Sequence, residues 1–151
     1  MNQHVTSDTA MRSLGAQIAG VLSGGEVLEL VGDVGAGKTT LTKGIAQGLG
    51  IEETVQSPSF TISRVYDAVS GLRLVHYDFY RLNDAGIMAD ELRETIHDPR
   101  TITIIEWAGI VDGVLPDDRL TIAITSPSET DRIVKISAGG DSSRSVLERI
   151  V

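Results

Sequence analysis

The stretch Val27-Leu28-Glu29-Leu30-Val31-Gly32-Asp33-Val34-Gly35-Ala36-Gly37-Lys38-Thr39-Thr40 decides how the rest of the chain is read. It opens as a short apolar run that ends at glycine, the pattern of a buried strand. Residues 32–39 then fit G-x-x-x-x-G-K-S/T at every fixed position. The spelling has a physical reason. Glycines let the backbone turn tightly, so that successive N–H groups of Gly35, Ala36 and Gly37 converge on phosphate oxygens. A helix starting near Lys38 adds the positive end of its dipole. Lys38 brings a mobile point charge for the β- and γ-phosphates. The Thr39 hydroxyl stands where a magnesium ligand is needed, and Thr40 is within reach of the α-phosphate. Beyond the loop, Leu41, Ile45 and Leu49 recur at helical spacing up to Gly50. A chance match in a chain of this length is expected about once in a few hundred sequences. The ligand expected from these residues is a nucleoside triphosphate with Mg²⁺.

Further elements can be read on both sides of this centre. Met11, Leu14, Ile18 and Leu22 recur at helical spacing across residues 8–22, and Gly24-Gly25 stops the pattern. Residues 61–66 and 72–77 read as strands joined by a turn around Val69-Ser70-Gly71, a hairpin. Residues 89–96 read as a short helix. Thr101-Ile102-Thr103-Ile104-Ile105 is β-branched throughout and reads as a central strand. Residues 119–125 and 132–138 read as two more strands. Ser143 to Ile150 reads as a closing helix with Val146, Leu147 and Ile150 on its inner face. Strands and helices interleave in the α/β manner, with antiparallel pieces added. No repeat or linker interrupts them, and 151 residues fit a single domain, 1–151, with a core of its own.

Composition narrows the function classes. At 41% hydrophobic and 23% charged residues, a packed soluble domain is expected rather than a disordered chain. There is no cysteine, which excludes disulfides, thiolate catalysis and cysteine-ligated zinc or iron–sulfur clusters. The formal net charge is −8, and the basic residues Arg64, Arg73, Arg81, Arg93 and Arg100 are scattered singly. Strong autonomous binding to a nucleic-acid backbone needs a basic stripe, so none is expected. No apolar run approaches the roughly 18 residues of a membrane helix. Met1 to Asp8 lacks the basic and apolar regions of a secretory signal, so the expected location is cytoplasmic.

A triphosphate site needs a carboxylate near the metal, at the end of a buried strand. Two acids qualify: Asp78, after Leu72-Arg73-Leu74-Val75-His76-Tyr77, and Glu106, after the run 101–105. Strand alternation puts His76 and Asp78 on one side if the strand continues. His76 reads as a base or as a satisfied structural histidine, the second being the commoner role. Arg81 reads equally as a phosphate partner or as the partner of a nearby acid. Ser57-Pro58-Ser59-Phe60 is short, polar and stiffened by proline. It reads as a plain turn or as a switch-like loop whose Ser57 and Ser59 hydroxyls sense the γ-phosphate. Trp107, the single tryptophan, follows a candidate metal ligand and reads either as core or as part of the site. The Asn-Lys-x-Asp string that reads guanine in GTPases does not occur, which disfavours GTP.

Taken together, these pieces resemble a family, the TsaE ATPases of bacterial tRNA threonylcarbamoyladenosine biosynthesis. The resemblance runs through Gly32 to Thr40, Val55-Gln56-Ser57-Pro58-Ser59-Phe60, His76-Tyr77-Asp78-Phe79-Tyr80-Arg81-Leu82 and Ile105-Glu106-Trp107. The phosphate loop alone is generic; the other three strings in this order are specific. The resemblance implies an α/β fold of the P-loop NTPase type, a three-layer sandwich around a mixed, partly parallel sheet and without a separate lid. It implies ATP and Mg²⁺ as cofactors, with hydrolysis that is weak alone and stimulated by partners. Those partners are the TsaB–TsaD pair, which attaches threonylcarbamoyl to adenosine 37 of ANN-decoding tRNAs and which TsaE resets between turnovers; tRNA is met only indirectly. It implies Thr39 and Glu106 as metal ligands, Asp78 as an acid needed for hydrolysis alongside Lys38, and outlying nucleotide contacts at Thr9 and Arg132. The loop at Ser57 and Ser59, with Trp107, would report nucleotide state.

The chain departs from the family pattern at Ser59, where threonine is usual, at Phe60, where tyrosine is common, and at Ala108, where proline often follows the tryptophan. Serine keeps the hydroxyl; phenylalanine loses one. Two rival readings come from other classes. One is a small-molecule kinase, which needs an arginine-bearing lid for which residues 84–100 are the only room. The other is a nucleotide-gated binding module with little hydrolysis.

Overall fold

The computed structural model describes residues 1–58, 61–84 and 86–150. Seven strands form one sheet: β1 (Asn2–Val5), β2 (Val27–Val31), β3 (Ser63–Asp67), β4 (Arg73–Asp78), β5 (Thr101–Glu106), β6 (Leu120–Thr125) and β7 (Arg132–Ala138). Their order is β1-β7-β6-β2-β5-β4-β3. The four inner strands β6, β2, β5 and β4 run parallel, and β3, β7 and β1 add antiparallel edges. Parallel strands are covered on both faces and read as near-continuous apolar runs. That is why every residue of Thr101–Glu106 is buried and why this run stood out in the sequence.

The described residues also form four α-helices: α1 (Asp8–Ala19), α2 (Lys38–Gly48), α3 (Ile87–Ile96) and α4 (Asp141–Arg149). One face of the sheet presents Leu28, Leu30, Leu74, Ile102, Ile104, Ile122 and Val134, packed with Met11 and Ile18 of α1, Leu41 and Ile45 of α2, and Val146 of α4. The other face presents Val75, Tyr77 and Ile105 against Leu92 of α3 and the single 3-10 turn Ala108–Val111. The result is the expected three-layer α/β sandwich with a mixed sheet. No described helix is long and apolar enough to cross a membrane.

The two helices nearest the phosphate loop touch backbone to backbone. A Cβ on Gly44 of α2 would meet the Arg12 carbonyl oxygen of α1 at 2.3 Å, and one on Gly15 of α1 would meet the Leu41 carbonyl oxygen at 2.6 Å. Only glycine permits this approach. It locks α1 and α2 together at mid-helix, which matters because the first turns of both line hollows beside the loop.

Differences from the sequence reading are local. β1 was not foreseen: of its four residues only Val5 is buried, so this edge strand carries no alternation to read. The first helix stops at Ala19 rather than near residue 22; Gly20 caps it, and Val21 and Leu22 continue as a turn that still reaches the core. Asp78 and Glu106 are the last residues of their strands rather than the first beyond them.

Candidate functional site

The C-terminal ends of the parallel strands converge on one edge of the sheet, where ligands bind in open α/β folds. The loop after β2 turns there through an Ala36 amide bonded to the Asp33 carbonyl at 3.0 Å. It enters α2 through Gly37, which has φ +114 and no side chain with which to cap the helix. The free amides of the first turn, together with the helix dipole, therefore face the loop.

Lys38, the first residue of α2, is buried with its ammonium folded over the loop. Its Nζ donates to the Gly32 carbonyl and lies 3.5 Å from that of Asp33. It stands 3.8 Å from Glu106 Oε1 and 4.5 Å from the centre of the Trp107 ring. Glu106 Oε2 accepts from His76 Nε2 at 2.5 Å, and both side chains are buried. Asp78 pairs in register with Glu106 on the adjacent strand, and its Oδ1 accepts from the Tyr80 amide at 3.0 Å. His76 and Asp78 do share one face of β4, as alternation required.

Trp107 has a left-handed backbone, φ +56, unusual for a bulky residue. The turn lifts its ring out of the core, 38% exposed, onto Tyr80 at 4.8 Å between ring centres. Of its two sequence readings, membership of the site is the one the geometry fits.

Lys38, Thr39, Thr40, Asp78, Glu106 and Trp107 line a single cleft of about 390 Å³, with Ser57 and Arg81 also on its wall. A second hollow of about 290 Å³ lies across the same loop and shares Gly35, Gly37 and Thr40 with the first; its wall includes Ala36, Arg132, Ser7 and Asp8. Arg132 reaches the loop directly, its Nε donating to the Ala36 carbonyl at 3.0 Å. Thr9 does not line this hollow. It is exposed on the first turn of α1, and its neighbours Ser7 and Asp8 line the hollow. Ser7, the N-cap of α1, and Asp8 were missed, although a Ser-Asp pair opening a helix was a visible signal. Ser59 and Phe60 lie outside the described residues.

A larger hollow, about 410 Å³, opens at the opposite end of the sheet. Its polar groups are already occupied. Glu26 accepts from the Ser23 and Gly24 amides. Asp118 is held below the ordinary carboxylate range by hydrogen bonds from Ser143 and Ser142 at the start of α4. It has the shape of a site but not the chemistry.

The donors at the cleft are hard oxygens: the Thr39 and Thr40 hydroxyls on α2, that of Ser57, and two carboxylates at adjacent strand ends. No group of three or more histidines, cysteines or acids gathers into an all-protein metal cage among the described residues. Such a set suits Mg²⁺, which takes one or two protein oxygens and fills its shell with phosphate and water.

Comparison with known proteins gives the chain a family. Residues 5–134 match the family model described as threonylcarbamoyl adenosine biosynthesis protein TsaE. The chain is 41% identical over 127 residues to a Bacillus subtilis protein named tRNA threonylcarbamoyladenosine biosynthesis protein TsaE, covering 83% of this chain and 78% of that one. It is 38% identical over 115 residues to the protein of the same name from Streptomyces coelicolor, covering 76% and 78%. The crystal structure of YdiB from Bacillus subtilis superimposes with a TM-score of 0.83 at 33% identity, over 99% of this chain and 93% of that one. A phosphate loop backed by the Lys38–Glu106–His76 cluster, in a chain matched over most of its length, is thus that of a member of the TsaE family.

Proposed function

We propose that the chain is a Mg²⁺-dependent ATPase of the bacterial tRNA N6-threonylcarbamoyladenosine machinery, cytoplasmic, which resets the TsaB–TsaD complex between turnovers. The observation that carries this reading is the convergence of Lys38, Thr39, Asp78 and Glu106 on one cleft at the end of the parallel strands.

The residues divide the work. The amides of Gly35 to Thr39 and the Lys38 ammonium hold the phosphates. Thr39 and Glu106 hold the metal, which when bound neutralises charge on the phosphate oxygens. Asp78, one strand further from the loop, orients the attacking water. Arg132 fixes the loop from the nucleoside side through its bond to Ala36. Trp107 and Tyr80, both exposed at the mouth of the cleft, face whatever docks there.

One observation disfavours the kinase reading. The segment 84–100, the only room for an arginine lid, builds α3 on the far face of the sheet, with Leu92 in the core beneath it. Arg93 on this helix is paired with Asp90 at 2.8 Å and does not line the cleft.

The test is ATP turnover by the chain alone and with the TsaB–TsaD pair and tRNA. Stimulation only in the full mixture supports the proposal. ATP loss that tracks an added small metabolite instead would favour a kinase, and ATP left intact beside partners that bind would favour a nucleotide-gated module.

A further inference from the structure

His76 is fully buried, on the sheet face it shares with Leu74 and Asp78. Its neighbours in register are Arg64 on β3 and Ile104 on β5. Its Nε2 commits its hydrogen bond to Glu106 Oε2, at 2.5 Å. A carboxylate can only accept, so the ring hydrogen sits on Nε2. Nδ1 is buried and has no hydrogen-bond partner among the described residues. Burying a polar atom unpaired is unfavourable. An aliphatic side chain here would avoid that penalty, and the one interaction that offsets it is the bond to Glu106.

That bond decides where the carboxylate points. Asp78 and Glu106 stand directly opposite on adjacent strands, where two acids on one face repel. Glu106 reaches back diagonally to His76, at the level of Ile104, while Asp78 Oδ1 is turned to the Tyr80 amide. With Oε2 held by His76, Oε1 is the oxygen left facing Lys38, 3.8 Å away.

We propose that His76 is a positioning residue: its Nε2–H clamps Glu106 Oε2 so that Oε1 alone is presented to the cleft and to magnesium. The clamp preorganises one metal-binding oxygen and keeps the carboxylates of Glu106 and Asp78 in separate roles. It rests on the reading of Glu106 as a magnesium ligand.

The experiment measures the affinity of a non-hydrolysable ATP analogue by calorimetry, across a Mg²⁺ series and in EDTA. His76→Phe removes the donor and keeps a ring. The half-saturating Mg²⁺ concentration should rise about 10–100-fold, with affinity in EDTA unchanged. His76→Gln, which keeps an N–H near the place of Nε2, should recover most of the loss. If His76→Phe does not fold, the same comparison is made between His76→Gln and His76→Met, which match in shape and differ in the donor. Equal loss of affinity with and without Mg²⁺, or no rescue by glutamine, overturns the clamp. Glu106→Gln separates the two levels of inference. If it leaves the Mg²⁺ dependence at the wild-type value, the metal reading falls and the clamp falls with it. If it weakens that dependence while His76→Phe does not, the clamp alone falls.

Discussion

The Lys38 ammonium lies 4.5 Å from the centre of the Trp107 ring, close enough for a cation–π contact. The indole reaches it because Trp107 takes a left-handed backbone conformation directly after Glu106. The same ammonium donates to the Gly32 carbonyl. Phosphate oxygens are stronger acceptors than a carbonyl, so under the proposed function Lys38 should change partners on nucleotide binding and the indole environment should change with it.

The chain holds one tryptophan, so this exchange has a clean reporter. Titration with ATP and Mg²⁺ should shift Trp107 emission saturably. Lys38→Ala should lower ATP affinity about 100-fold, as expected for loss of charge-assisted bonds to phosphate. Trp107→Leu should change it by less than about 30-fold, since a partly desolvated cation–π contact is worth about 0.5–2 kcal/mol. An emission unchanged by saturating ATP would show that the indole does not sense the loop.

Asp78 and Glu106 share a face and a register position but differ in surroundings. Glu106 sits between Lys38 and His76, whereas Asp78 is set one strand further out. Asp78→Ala should therefore leave ATP affinity within about threefold and lower partner-stimulated turnover about 100-fold or more, a loss in the range for acid–base or water-positioning groups. Glu106→Ala should instead weaken Mg²⁺-dependent binding. Calorimetry and phosphate release on the same preparations check both. Asp78→Ala that lost binding yet kept full turnover per bound ATP would reverse the two roles.

Several parts of this architecture were legible in sequence, for physical reasons. The strand Val27–Val31, the loop and the helix from Lys38 carry a motif whose chemistry dictates its spelling, and the β-branched run 101–105 is buried because both faces of its strand are covered. The hairpin from Ser63 to Asp78 is short-range and turns on a glycine at φ +93. Features set by distant pairing were not legible. β1 depends on β7, some 130 positions away in register. The approach of Gly15 and Gly44 depends on how two helices cross. The link of His76 to Glu106 joins strands separated by the whole of α3. Alternation could place His76 beside Asp78, but only the sheet register brings Glu106 to its ring.

The glycine contact between α1 and α2 carries its own prediction. Gly44→Ala would push a methyl into the Arg12 backbone, at 2.3 Å from its carbonyl oxygen. Helix propensity alone favours alanine over glycine by up to about 1 kcal/mol, but overpacking of this kind costs about 1–3 kcal/mol, and here the obstacle is backbone, which cannot rotate away. Gly44→Ala should lower stability by about 1–2 kcal/mol net, read by urea unfolding. Because the same contact sets how α1 and α2 lie against each other beside the loop, ATP affinity should fall too. A stabilised Gly44→Ala would mean that the helices separate without penalty.

Tyr77 supplies a pH dependence far from the cleft. Its ring is buried on the α3 face, and its hydroxyl bonds Thr95 at 2.8 Å. Burial pushes its phenol up from 10.0 to about 12; the Thr95 bond works against this and the Glu91 carboxylate adds to it. The folded state therefore keeps the proton at a pH where the unfolded chain has lost it. Stability from this group is full below about pH 10, the unfolded value, and declines as the pH rises through about 12. Tyr77→Phe removes the titration, so the gap in urea midpoint between the two proteins should change between pH 9 and pH 11.5, the wild type losing more. The phenolate absorbance that Tyr77→Phe removes should belong to a group ionising at about pH 12 in the folded wild type. If that absorbance instead appears at about pH 10, the ordinary phenol value, while the protein stays folded, the α3 face is open to water at Tyr77.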